Sequence, residues 1–188
     1  MIKCNVTVCG VIGRDASIRT NKEGKTFLVF PLRVMIPDTD GKTMPIEVDV
    51  SKDTAGKEVS KYRNGSRIEV SGTMYLKHRG DKLYFNLFIN EIRTATADAK
   101  DTVKGELVFR GKVGQHIEEK RDKKDQPYTM FSAFSTEKVE DGFEYQWVRF
   151  FCFGKEREAW LQPGVRVDAK GEISHTAYNG KLNVSCKE

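Results

Sequence analysis

The sequence has few of the residues on which catalysis and metal binding usually depend. Its three histidines, His78, His116 and His175, lie far apart and show neither catalytic nor metal-ligand spacing. The four cysteines are too few for a secreted disulfide scaffold and lack the paired spacing of a zinc site. We therefore expect no catalytic residue, no metal and no cofactor, and we interpret the cysteines as small buried side chains.

Long hydrophobic runs are also missing. No stretch approaches the roughly 20 apolar residues that a membrane-spanning helix needs, and no charged-then-apolar leader opens the chain. A cytoplasmic protein without membrane contact is the expectation. The net charge is +5, and the whole excess lies in the first half: residues 1–97 hold 16 Lys and Arg against 11 Asp and Glu, whereas residues 98–188 hold 16 against 16.

What the sequence does contain is an internal repeat. Glycines recur in the same order in both halves, first at an offset of 101 residues and then at 99: Gly10 and Gly13 with Gly111 and Gly114, and Gly65 and Gly72 with Gly164 and Gly171. Aromatic residues in "TFLVFPLRV" and "YTMFSAFST" follow the first offset. We expect two similar domains, residues 1–97 and 105–188, joined by the polar linker 98–104.

Period-two alternation of apolar and polar residues predicts five strands in each half. Between the third and fourth strands, "AGKEVSKYRNG" and "GKEREAWLQPG" carry helix formers followed by Gly, which predicts a short helix in each half. Trp160 of the second segment is expected to close the bottom of a barrel. The pattern predicts an all-β protein with two tandem OB-fold five-stranded Greek-key barrels, each with a short helix between strands 3 and 4. The strand count leaves an SH3-like meander as an alternative.

The strand "YQWVRFFCFG", residues 145–154, carries aromatic residues on both faces. Because side chains alternate along a strand, Val148, Phe150 and Cys152 share one face and are expected to form the core. The other face combines aromatic rings with a guanidinium, which suits stacking on bases and contact with phosphates: Trp147, Arg149, Phe151 and Phe153. Three further residues of the second half, just after this strand and at its last hairpin, complete the predicted nucleic-acid site: Lys155, Tyr178 and Lys181.

The equivalent strand of the first half, "PIEVDVS", has no aromatic residue. It offers Glu47 and Asp49, which would repel phosphate if they face the groove. A smaller basic and aromatic patch surrounds the last hairpin of this half: Tyr75, Lys77, Arg79, Lys82 and Tyr84. We expect the first half to contribute charge, subunit contacts or both.

The stretch "WVRFFCFGKEREAWLQPGVRVDAKGEISHTAYNGKL", residues 147–182, resembles the bacterial single-stranded DNA-binding proteins. It has that family's Trp, a short apolar run ending in Phe-Gly-Lys, and two later glycines followed by an aromatic residue. The resemblance implies base stacking by Trp147 and Phe153, with Tyr178 where the family commonly has Trp. Family members assemble four OB domains around DNA, which implies a homodimer of this two-domain chain.

Sequence-independent binding of single-stranded DNA, in replication, recombination or repair, is the function that these patterns favour. Single-stranded RNA stays open as a ligand, because stacking and basic grooves do not distinguish RNA from DNA. A primosome-like adaptor that meets a protein through its OB-folds is a further alternative. The family's acidic, Phe-terminated tip is not found after "NVSCKE", which leaves recruitment of partner proteins by that route open.

Overall fold

The protein is all-β in its computed structural model, which describes residues 2–37, 41–54, 58–80, 82–154, 156–178 and 181–187. The side chains of residues 176–178 and 181–183 fall outside this description. The strands are β1 (Ile2–Ile12), β2 (Ser17–Thr20), β3 (Thr26–Pro37), β4 (Thr43–Asp53), β5 (Arg67–Arg79), β6 (Lys82–Thr94), β7 (Thr102–Arg121), β8 (Pro127–Val139), β9 (Gly142–Phe153), β10 (Arg166–Tyr178) and β11 (Lys181–Lys187). No helix within the described ranges has the length and apolar character needed to cross a membrane.

The strands of the second half close into a five-stranded barrel. β7 pairs with β8, β8 with β9, β9 with β11 in parallel, β11 with β10, and β10 returns to β7. The first half follows the same order, β1, β3, β4, β6 and β5, although β1 meets β3 through only two residue pairs. β2 is an additional strand paired with β3. This arrangement fits the OB-fold expected from the sequence.

The repeated glycines occupy matching places in the two halves. Gly65 and Gly164 both adopt positive φ and donate their backbone N–H at 2.8 Å, to the carbonyl oxygens of Ile12 and Val113 respectively. Ile12 and Val113 are themselves separated by the offset of 101 residues. The sequence repeat therefore corresponds to a repeat in the backbone hydrogen bonding.

The two halves are joined by a strand pair. Residues 2–9 of β1 run antiparallel to residues 102–109 of β7, which makes one continuous sheet across the chain. Asn5 lies opposite Glu106, its own equivalent at the offset of 101 residues. Lys3 lies opposite Val108 while Thr7 lies opposite Lys104, the equivalent of Lys3. The pairing is therefore symmetric about Asn5 and Glu106, and a local twofold axis relates β1 and β7 at this point.

The structure does not confirm the short helices. In the first half the expected helix is a single 3-10 turn, Val59–Lys61. In the second half residues 156–165 form an irregular segment with turns at 159–160 and 163–164, and the Leu161 N–H donates to the Glu158 carbonyl oxygen at 3.1 Å. The expectation for Trp160 was wrong: this residue is 52% exposed, and its neighbour Leu161, 5% exposed, belongs to the hydrophobic core instead.

The barrel cores contain the expected residues. Phe150 is completely buried and packs against Phe109 and Phe131, with ring centroids 5.0 and 5.1 Å away. Val148 is buried beside it. Three of the cysteines are buried as small side chains and Cys152 is partly buried, and none of the four forms a disulfide.

Candidate nucleic-acid interface

The outward face of β9 carries the aromatic residues that the sequence predicted there. Trp147 is 50% exposed and Phe153 is 43% exposed, whereas Val148 between them is buried. The strand begins at Gly142, so two more aromatic side chains continue the same face: Phe143 and Tyr145, which are 60% and 49% exposed. Sequence reasoning missed these two, although their odd-numbered spacing from Trp147 was the signal for them. We call the six outward residues of β9 the aromatic face: Phe143, Tyr145, Trp147, Arg149, Phe151 and Phe153.

Neighbouring strands hold the upper part of the aromatic face in place. Phe134 of β8 contacts both Tyr145 and Trp147, with ring centroids 5.7 and 5.0 Å apart. The Trp147 ring also lies against Gly114 of β7, where a Cβ atom would come within 2.8 Å of indole Cζ3. Gly114 therefore leaves the space in which the indole lies, and the ring is supported on one side while half of it faces solvent.

The lower part of the aromatic face combines rings with positive charge. Phe151 and Phe153 are nearly parallel, with ring centroids 6.1 Å apart, and Tyr128 lies 5.3 Å from Phe153. The ammonium of Lys187 lies 5.9 Å from the Phe153 ring centroid, a contact that the sequence did not predict. Arg149 is exposed between the two groups of rings. Aromatic surface interleaved with cations in this way can stack bases and hold phosphates.

Three predicted residues of the second half cannot be placed on this surface. Lys155 lies outside the described residues, and so do the side chains of Tyr178 and Lys181. The backbones of Tyr178 and Lys181 pair with each other at the end of the β10–β11 hairpin.

The predicted patch of the first half lies on β5 and β6. Tyr75 contacts Phe88 edge to face at 6.1 Å, and the Lys82 ammonium lies 4.9 Å from the Tyr84 ring centroid. Phe88 is 51% exposed and was not predicted from the sequence. Lys77 is exposed and lies opposite Tyr84 in the strand register. These side chains form a second surface of rings and cations.

The Arg79 guanidinium is bound to a carboxylate of the second half. Its two terminal nitrogens donate to the Glu137 carboxylate of β8, both at 3.1 Å. This hydrogen bonding lowers the pKa of Glu137 and raises the pKa of Arg79. Beside it, the Glu144 carboxylate contacts His78 Nδ1 at 3.2 Å and accepts the Gly80 N–H at 3.1 Å. The β5–β6 hairpin is thereby docked onto the second half.

A groove runs between the two halves and connects the two predicted surfaces. It has a volume of about 1110 Å³ and is lined by strands β4 and β6 on one side and by β8 and β9 on the other. Lys82 and Tyr84 of the first half line the same groove as Trp147 and Arg149 of the second. Residues that the sequence placed in separate domains therefore share one surface.

No group of three or more His, Cys, Asp or Glu side chains within the described ranges is placed to hold a metal ion.

Comparison with known proteins finds similarity in structure only. No protein-family model matches the chain, and no curated protein sequence matches it. The wild-type single-stranded DNA-binding protein from Thermus aquaticus is a similar solved structure, with 13% identity and a TM-score of 0.49 over 100% of this chain and 89% of that one. Two smaller structures each cover 49% of this chain. The N-terminal domain of PriB from Thermoanaerobacter tencongensis has 19% identity and a TM-score of 0.34, over 97% of its own length. The Plasmodium falciparum SSB complex with ssDNA has 18% identity and a TM-score of 0.38, over 95% of its own length.

Proposed function

We propose that this protein binds single-stranded DNA without reading its sequence, and that it has no catalytic activity. The observation that carries this proposal is the aromatic face of β9, where six consecutive outward positions hold five aromatic rings and one arginine. Four of these rings are exposed, which a dry core does not explain: those of Phe143, Tyr145, Trp147 and Phe153. Single-stranded bases offer π faces whatever their identity, so stacking provides affinity without sequence selection.

The phosphates would be held by cations beside the rings. Arg149 lies within the aromatic face, and Lys82 lines the opposite side of the groove. We assign the same role to Lys155 and Lys181, with Tyr178 as a further stacking residue, and to Lys77 with Tyr75 and Tyr84 in the first half. Arg79 would have to leave Glu137 to contact a phosphate. Binding through such contacts falls with salt, with a logarithmic slope near −0.7 for each neutralised phosphate.

The proposed architecture is two tandem OB-fold barrels, residues 1–97 and 105–188, joined by residues 98–104. The local twofold axis through Asn5 and Glu106 favours it, because the β1–β7 pairing joins two equivalent units. We further propose a homodimer with four such barrels. Light scattering at micromolar concentration should give twice the 21.4 kDa mass of one chain, and a monomer mass would contradict the dimer. We propose that this dimer is cytoplasmic and acts in replication, recombination or repair.

Fluorescence anisotropy with labelled oligo(dT) tests the function. Trp147→Ala removes one stacking platform and should cost about 1 to 3 kcal/mol, a weakening of roughly 5- to 150-fold. Trp160→Ala is the matched control, because Trp160 is 52% exposed against 50% for Trp147 but lies outside the aromatic face.

Competitors separate the remaining alternatives in the same assay. Duplex DNA should not displace the labelled strand, and single-stranded RNA of equal length measures the preference between the two nucleic acids. If wild-type protein shows no salt-sensitive binding to oligo(dT), the proposed function is wrong and the face must meet a protein instead.

A further inference from the structure

The first half has carboxylates at the positions equivalent to Trp147 and Arg149 of the aromatic face. Phe30 and Phe131 are equivalent at the offset of 101 residues, and they lie opposite Val50 and Phe150 in their strand pairs. Counting back from these partners makes Glu47 the equivalent of Trp147, and Asp49 the equivalent of Arg149. Both carboxylates point outward from β4, as their counterparts do from β9.

These carboxylates lie close to the aromatic face. Glu47 and Asp49 line the groove between the halves, together with Trp147 and Arg149. A strand of nucleic acid stacked on Trp147 would therefore face Glu47 and Asp49 on the opposite wall, where Lys82 and Tyr84 also lie.

Asp49 is the carboxylate that is available to a ligand. Glu47 forms an ion pair with Arg14, with Nη2 and Oε1 3.7 Å apart. Among the residues that the structure describes, Asp49 has no hydrogen bond and no ion pair. Partial burial raises the pKa of Asp49, and the charge of Glu47 adds to this effect, although the charges of Lys82, Arg14 and Arg19 also act on Asp49 and tend to lower its pKa. A carboxylate that has lost part of its hydration gains more from an added hydrogen-bond donor than one in open water.

The chemistry of a carboxylate limits what it can contact on a nucleic acid. It repels phosphate, so the backbone would run on the side of Arg149, across the groove from Asp49. It accepts hydrogen bonds, and the exocyclic amino group of cytosine is a donor that carboxylates bind. Thymine presents the O4 acceptor at the corresponding position. Cytosine stacked in the groove can therefore donate a hydrogen bond to Asp49, whereas thymine would place an acceptor against the carboxylate.

We propose that Asp49, across the groove from Trp147, biases binding toward bases that present an amino group, with cytosine favoured over thymine. The inference rests on the proposed single-stranded DNA binding and adds a modest base preference to it. Only the first half supplies this carboxylate, because the second-half residue equivalent to Asp49 is Arg149. The base preference therefore arises in the groove, where the two halves meet.

The test compares oligo(dC) and oligo(dT) of equal length by anisotropy, for wild type and Asp49→Asn. The measured quantity is the ratio of the two dissociation constants, because strand flexibility also affects each homopolymer by itself. An asparagine amide can accept from cytosine or donate to thymine, so it removes the discrimination while keeping the shape. The preference for oligo(dC) should fall by roughly threefold to tenfold in Asp49→Asn.

Asp53→Asn is the matched control. Asp53 points outward from the same strand but lies outside the groove lining, with Lys25 Nζ at 3.2 Å from its carboxylate. Its substitution should leave the ratio unchanged.

Two results would overturn the inference while leaving the proposed function in place. One is an unchanged ratio in Asp49→Asn. The other is an equal gain in affinity for both oligonucleotides, which would mean that Asp49 only repels phosphate. Absence of binding to either oligonucleotide by wild-type protein would overturn the proposed function together with the inference.

Discussion

The buried histidine should make the folded protein acid-sensitive. His175 of β10 is 7% exposed, and neither of its ring nitrogens has a hydrogen-bond partner among the described residues. Its ring packs edge to face against Phe85 of β6, with centroids 5.4 Å apart, so it lies at a contact between the two halves. Burial lowers the pKa of His175 from 6.5 to about 4.

The sign of the effect follows from this lowered pKa. Between the two pKa values the unfolded chain binds a proton that the folded protein rejects, so stability is full above pH 6.5 and falls as the pH drops toward about 4. The difference between the two pKa values corresponds to about 3 kcal/mol of unfolding free energy. About 2 kcal/mol of this should be lost between about pH 7.5 and about pH 5.

Urea unfolding at these two pH values measures the loss. His175→Leu removes the titrating group, so its stability should fall by about 2 kcal/mol less than that of wild type over the same interval. His116→Gln is the control at an exposed histidine and should behave as wild type does. If wild type and His175→Leu lose the same stability, the histidine is not buried in the neutral state and the reasoning fails.

Two further substitutions test the fold and the contact between the halves. Gly111→Ala should destabilise the protein by about 1 to 3 kcal/mol, because the added Cβ would lie 2.1 Å from the Phe134 carbonyl oxygen. Gly13→Ala is the control, since its added Cβ would have its nearest contact at 3.8 Å. Equal urea midpoints for the two variants would contradict this packing. Glu137→Gln should release Arg79, so thermal unfolding should occur at a slightly lower temperature at low salt and binding of oligo(dT) should strengthen. Unchanged binding would mean that Arg79 makes no phosphate contact.

Local patterns in the sequence predicted the strands and the exposed and buried sides of β9. The alternation of Trp147 with Val148 gave the exposed and buried sides of β9, because a strand has a fixed period of two. The repeated glycines gave the two equivalent halves, since the same close backbone approaches occur in both. Gly72 and Gly171, for example, each leave a Cβ position about 2 Å from a carbonyl oxygen of the next strand, at 2.0 and 2.1 Å.

Long-range contacts were not predictable in this way. The β1–β7 pairing and the ion pair of Arg79 with Glu137 join residues far apart in sequence, and no local pattern encodes them. The helix-forming residues before Gly164 predicted a helix, but the segment forms turns, and this change exposes Trp160 and buries Leu161. The groove between the halves follows from those same long-range contacts, so its mixed lining appears only in the folded chain.

The most direct test of stacking on the aromatic face uses the two tryptophans of the chain. Trp160→Phe leaves Trp147 as the sole indole, and Trp147→Phe leaves Trp160. Titration with oligo(dT) should strongly quench the fluorescence of Trp160→Phe, because a base stacked on Trp147 contacts its indole, and should leave that of Trp147→Phe nearly unchanged. Binding seen by anisotropy without quenching of Trp147 would contradict the proposal that β9 is the surface on which bases stack.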